Sequence, residues 1–175
     1  MRAVTRGLVG ARADILVLAG IDYDLGLATL AALREAIRAE GGPDYPHLLA
    51  PRPNTGRDTG LDLDGDGRRG GPGDAQGFAR YAGQGGLAVL SRFPLTLTAD
   101  HTALLWRDLP GSLLIDAAGR EGAAATGAAV QRLSSVAHAE LAVHLPGETA
   151  LTLMIFHAGP PVFDGPEDRN GRRNH

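Results

Sequence analysis

Residues 14–40 read Asp14-Ile-Leu-Val-Leu-Ala-Gly-Ile-Asp-Tyr-Asp-Leu-Gly-Leu-Ala-Thr-Leu-Ala-Ala-Leu-Arg-Glu-Ala-Ile-Arg-Ala-Glu40, and this stretch decides the fold class. Its first part, 14–19, is a short continuous apolar run rich in branched residues, the pattern of a strand buried on both faces. Asp24 stands where it can cap a helix over about 25–40, in which Leu27, Leu30, Leu33 and Ile37 line one face. Gly41-Gly42-Pro43 ends that helix, and a short strand near 47–50 follows. Strand, helix and strand in this order predict an α/β domain rather than a β-sandwich.

Beyond it, residues 51–86 are dense in Gly, Pro, Asp and Arg, an irregular insertion long enough to require either a function or disorder. The Asp repeat inside it favours an ordered loop held by an ion. Strand-like segments follow at 87–91, 95–99 and 103–106, and 132–143 reads as one or two more. The Ala- and Gly-rich residues 116–129 read as a surface loop or hairpin tip. Residues 149–156, Thr-Ala-Leu-Thr-Leu-Met-Ile-Phe, read as a second strongly buried strand.

At 175 residues the chain makes one domain able to bury a core. It is 43% apolar but only 5% aromatic, so small residues must do most of the packing. The net charge of −3 gives no general footprint for nucleic acid, and every positive side chain is arginine. The absence of cysteine excludes disulfides, thiolate zinc sites and thiol nucleophiles. No apolar run approaches the ~20 residues that span a bilayer, and Met1-Arg-Ala-Val-Thr-Arg leads into no signal-type apolar run, so a soluble chain is expected.

The most specific local chemistry lies in residues 60–74, Gly-Leu-Asp-Leu-Asp-Gly-Asp-Gly-Arg-Arg-Gly-Gly-Pro-Gly-Asp. Asp62, Asp64 and Asp66 alternate, with Gly67 behind them to supply a sharp bend. This is the first half of a calcium loop of the EF-hand type, and three carboxylates so close together call for a hard counter-cation. The second half departs from that pattern. Position twelve, counted from Asp62, is Gly73 rather than Glu; Asp74 falls one place late. Asp74 and the carbonyl of Arg68 are the next candidate ligands. A solvated acidic turn is the competing reading.

His157 follows the 149–156 strand, a place that faces the ligand crevice in α/β sheets and suits proton transfer or phosphate contact. The arginine-rich tail from Val162 offers Arg169, Asn170, Arg172 and Asn174 as phosphate-binding candidates, against salt bridging with Asp164, Glu167 and Asp168. His138 and Glu140 share a strand face by period two, and Trp106 reads as a core anchor.

Several of these segments resemble the endonuclease/exonuclease/phosphatase superfamily, the deoxyribonuclease-like metal-dependent phosphoesterases. Gly86-Leu-Ala-Val-Leu-Ser-Arg-Phe-Pro94 is the most specific match, with the strand from Asp14 to Asp22 and Phe156-His157-Ala158 beside it. Pro53 to Gly77 and Pro160 to His175 are similar to a bacterial branch carrying an Asp-rich Gly loop. The resemblance implies a mixed-sheet α/β sandwich with helices outside, incomplete at both ends, whose uncovered sheet edges invite self-association. It also implies Mg²⁺ or Mn²⁺ acting on a phosphoester, with nucleic acid among the substrates that fit. His157 is the one aligned catalytic candidate. The family's metal-binding Glu falls on Gly20, leaving Asp22 as the nearest carboxylate, and the Asn strand and late Asp-Asn and Asp-His motifs have no counterpart. An impaired phosphoesterase is the expectation, and a non-catalytic binding domain with a structural Ca²⁺ loop is the alternative.

Overall fold

The computed structural model describes residues 2–114, 123–147, 149–160, 162 and 168–174. A first helix, α1 (Arg2–Ala11), leads into β1 (Ile15–Ile21), α2 (Ala28–Ala39) and β2 (His47–Leu49). The 51–86 insertion then runs to β3 (Gly86–Ser91), and β4 (Leu95–Asp100) follows. After α3 (Ala123–Val130) come β5 (His138–His144), β6 (Ala150–Phe156) and the short α4 (Arg169–Arg173).

The α/β class read from residues 14–40 is the observed one. The strands form two three-stranded sheets, in the orders β1-β3-β2 and β4-β5-β6. Every pairing in them is antiparallel, so neither sheet is mixed as the resemblance implied. β1 and β2, joined through α2, flank β3 and run antiparallel to it. The later strand β3 thus occupies the slot between them.

That central place explains the apolar composition of β3, all six residues of which are buried. Leu87 and Val89 face the second sheet and pack with Ala139, Leu141 and Ile155. Ala88 and Leu90 face the helices and pack with Leu16, Leu30, Ile37 and Tyr45. The described chain is therefore layered as helices, sheet and sheet, with small residues letting the sheets approach. Tyr45 is fully buried and donates its hydroxyl to the Ala13 carbonyl at 2.7 Å, which satisfies its one polar atom. Burial pushes the ionisation of its hydroxyl upward.

Asp24 caps α2 from outside it. Its carboxylate accepts from the amides of Ala28 at 2.7 Å and Thr29 at 2.9 Å, while Leu27 takes a left-handed conformation at φ 52°. Those bonds hold its carboxyl below its ordinary value.

Three expectations change. Residues 103–106 form a turn and a single antiparallel bridge, Leu105 to Arg132, rather than a strand, and lead into a 3₁₀ turn at Trp106–Asp108 whose indole is buried. Residues 123–130, read as loop, are helical; alanine favours helix where no packing competes, and 116–122 lie outside the described residues. β6 is not buried on both faces: it is an edge strand with most of its residues exposed. Its apolar run resembles that of β3, but an apolar run alone does not distinguish a central strand from an edge.

Candidate metal centre

The 58–74 segment folds by turning its carboxylates onto its own amides. Asp58 accepts from Gly60 at 2.9 Å, and Asp66 accepts from Arg68 at 2.8 Å. Asp62 accepts from Gly65 at 2.8 Å with one oxygen and from Gly67 at 2.9 Å with the other. Short acidic side chains bonding amides a few residues ahead make such turns without a regular ladder. Gly67, at φ 82°, holds a left-handed bend that other side chains resist, as the motif predicted.

Asp74 anchors the far end. It closes a 3₁₀ turn, Pro72–Asp74, and its buried carboxylate accepts from Leu63 at 2.7 Å and Gly71 at 2.9 Å. The Thr59 hydroxyl donates to its carbonyl at 2.6 Å. The Leu63 and Gly71 amides hold the Asp74 carboxyl below its ordinary range, so it stays ionised.

This folding brings one oxygen each of Asp62, Asp64 and Asp74 within 4.8 Å of one another. Asp66 does not join that group, because its side chain closes the next turn onto Arg68. The expected triad of Asp62, Asp64 and Asp66 is thus replaced by one that spans the loop. Gly73 supports the arrangement: a Cβ there would stand 2.1 Å from Oδ2 of Asp64, so any side chain would displace that ligand. Three carboxylate oxygens on a glycine-shaped cradle fit a hard divalent cation and offer nothing to a soft one.

Asp22 lies outside this group. Its carboxylate accepts from the Tyr81 hydroxyl at 2.6 Å and from the Gly85 amide at 2.9 Å, tying the end of the insertion to the exit of β1. The bond from Tyr81 comes first among the causes that lower the Asp22 pKa, and the same bond raises that of Tyr81. Gly20, with φ 80°, forms the bulge just before it.

His157 follows β6 as expected and is exposed; its amide donates to Ala137 at 3.3 Å. Of the tail candidates, Arg169 opens α4, Arg172 is exposed, and Asp164 and Glu167 lie outside the described residues. Asn170 donates to the Pro160 carbonyl at 3.3 Å, and Asn174 donates to the Gly159 carbonyl at 2.9 Å. These two asparagines fasten α4 to the segment after His157.

Sequence reasoning missed a buried polar junction nearby. The fully buried Asn54 donates to the carbonyls of Thr102 at 2.7 Å and Ser134 at 2.6 Å, and accepts from Arg132 at 2.8 Å. Gln76 donates to Val130 at 2.8 Å and accepts from the Arg132 amide at 2.9 Å. Arg173 lies over the Trp106 ring and donates to the carbonyls of Leu133 and Arg132. Burial, then the charge of Arg57, lower the pKa of Arg132. The only sequence signal was polar residues interrupting a Gly-rich loop, which does not distinguish buried asparagine from exposed.

On the outer face of the second sheet His138 and Glu140 do share a face, and Glu140 meets His101 at 3.2 Å. The His101 and His138 rings lie 5.1 Å apart. A shallow hollow of about 540 Å³ is lined by Arg12, Pro43, Asp44 and Arg92, and by none of the candidate site residues. No described helix is long and apolar enough to cross a membrane. Comparison with protein-family models, curated proteins and solved structures finds no match for this chain.

Proposed function

We propose that this chain is a metal-binding domain of the phosphoesterase- or nuclease-like kind, with Ca²⁺ in the 60–74 loop and little or no turnover of its own. The observation that carries the first half is the convergence of Asp62, Asp64 and Asp74 on one point. Ca²⁺ suits it because flexible, irregular oxygen cages favour the larger ion, whereas Mg²⁺ demands near-octahedral geometry. Bound there, the ion would supply charge neutralisation to a loop whose three carboxylates otherwise repel one another. No bidentate Glu closes the loop, so affinity is on the order of 10⁻⁴ M.

The phosphoesterase-like half rests on the sequence resemblance around Gly86–Ser91 and His157. Low turnover follows from the residues at the aligned metal position. Gly20 has no ligand atom, and Asp22 belongs to no cluster of three metal-ligating side chains among the described residues. Recruiting Asp22 to Mg²⁺ or Mn²⁺ would break a staple of the insertion.

Calorimetric titration with CaCl₂ and MgCl₂ of the wild type and Asp64→Ala tests the loop. A Ca²⁺ isotherm that disappears in Asp64→Ala is expected, and flat traces for both proteins would remove the site. Hydrolysis of bis(p-nitrophenyl) phosphate with Mg²⁺ or Mn²⁺ tests the second half. Turnover that is lost in Asp22→Asn would show an active variant centre.

A further inference from the structure

Four strand edges bound the two sheets, and three of them carry features that discourage pairing. β2 is only three residues long. β1 is broken by the bulge at Gly20, and β4 by a register shift between Leu97 and Ala99, with Asp100 at its end. Short strands, bulges and charges are the usual protection of sheet edges. β6 has none of these. Its seven residues, Ala-Leu-Thr-Leu-Met-Ile-Phe, pair with β5 in unbroken register from Ala150 to Phe156. They include no charge, proline or glycine, and no described strand pairs with the other side. Its large side chains stand open: Leu151 is 45%, Met154 59% and Phe156 69% exposed.

We infer that β6 is a homodimer edge, pairing antiparallel with β6 of a second copy about a twofold axis at Leu153. The strand itself favours a second copy over a foreign strand, because an antiparallel pairing centred on Leu153 keeps all seven residues in the ladder and sets small outer side chains against large ones. Inward residues meet inward ones, Leu151 opposite Ile155 of the other copy and Leu153 opposite its own counterpart. On the outer face small residues meet large ones, Thr152 opposite Met154 and Ala150 opposite Phe156. Such cross-strand pairs are the unit of sheet stability, and a shift by one residue would turn the inward set to solvent. A twofold contact uses the same patch on both copies and closes on itself, so a single six-stranded sheet results rather than a fibre.

Sedimentation velocity of the full chain across a concentration series should show the mass rising from 18.2 kDa toward twice that value. The double variant Thr152→Lys with Met154→Lys places lysines opposite one another across the axis, and both native side chains are exposed in the single chain. It should stay monomeric with unchanged circular dichroism, as should Thr152→Glu with Met154→Glu, and mixing the two should restore the dimer. The native chain has no cysteine, so oxidation reads the register directly. Thr152→Cys mixed with Met154→Cys should form a crosslinked dimer at least tenfold faster than either alone. A wild type monomeric throughout, a dimer indifferent to the lysine pair, or equal crosslinking in matched and unmatched mixtures would each overturn the inference. The cysteine experiment decides the matter even if the charged variants fold poorly.

Discussion

In β3 every residue is buried and Leu87 to Leu90 pack into apolar clusters, whereas across residues 54–85 the chain is held by carboxylates, amides and hydroxyls. Leu87 and Val89 on one face and Ala88 and Leu90 on the other fill two cores at once. Asn54, Asp62, Asp74 and Asp22 instead satisfy main-chain groups that no ladder reaches. Apolar burial is indifferent to pH and ions, while a loop closed by ionised groups must respond to both. Scaffold and candidate site are thereby separable by experiment.

The largest effect belongs to the sheets. Leu141→Ala removes a fully buried side chain from the core between them and should cost about 2–5 kcal/mol in urea unfolding. Ca²⁺ affinity of the folded fraction should be unchanged, because the variant touches no residue of the loop. A lost isotherm in a protein that remains folded would show that scaffold and loop are one unit.

Calcium gives the converse experiment. At a hundredfold excess over the dissociation constant, binding to the folded state alone adds about 2.7 kcal/mol. The melting temperature of the wild type should therefore rise in CaCl₂, and that of Asp64→Ala should not. An equal rise in both would place the ion elsewhere.

Asn54 joins the two regions, and its loss should be intermediate. Asn54→Ala strands the Thr102 and Ser134 carbonyls and the Arg132 guanidinium, at about 1–3 kcal/mol for an orphaned buried group. The loop should open first, so limited proteolysis should cut within 54–85 while β3 amides stay protected from hydrogen exchange. Uniform loss of protection would show that insertion and sheets unfold together.

What was legible in the sequence follows the same division. Branched apolar runs announced β1 and β3, and Asp24 with the Leu30 and Ile37 face announced α2, because burial leaves a periodic record. The Asp-Gly spacing pointed to a loop able to hold an ion, but it ranked Asp66 ahead of Asp74. Ligand choice depends on which carboxylate the fold turns inward, and a turn eight residues further on brings Asp74 back. The Asn54, Gln76 and Arg132 junction left no pattern at all, since its partners are main-chain carbonyls and amides contributed by distant segments. The edge position of β6 was equally hidden, for strand neighbours are a property of topology.

The smallest effect is a pH step that separates the outer face of the second sheet from the loop. Burial, followed by the charge of His101, lowers the pKa of His138 below 6.5, against weaker opposing effects of Glu140 and Asp100. The Nε2 of His138 is buried without a partner, so protonation there gains no acceptor. The unfolded chain therefore takes up this proton first. Stability tied to His138 is complete above about pH 6.5 and declines as pH falls toward the lowered folded value. Asp74 contributes in a more acid window: its carboxyl lies below 3.8 in the folded chain, so its share persists to about pH 4 and is lost below that. Melting temperature followed from pH 8 to 3 should show a shallow decline beginning near 6.5 and a second one below 4. His138→Phe should erase the first and leave the second, and Asp74→Asn the reverse. The first step will be modest because His138 as a whole is only partly buried, and solvent screens its neighbours. If His138→Phe leaves the decline near pH 6.5 intact, the unpartnered nitrogen is not its source.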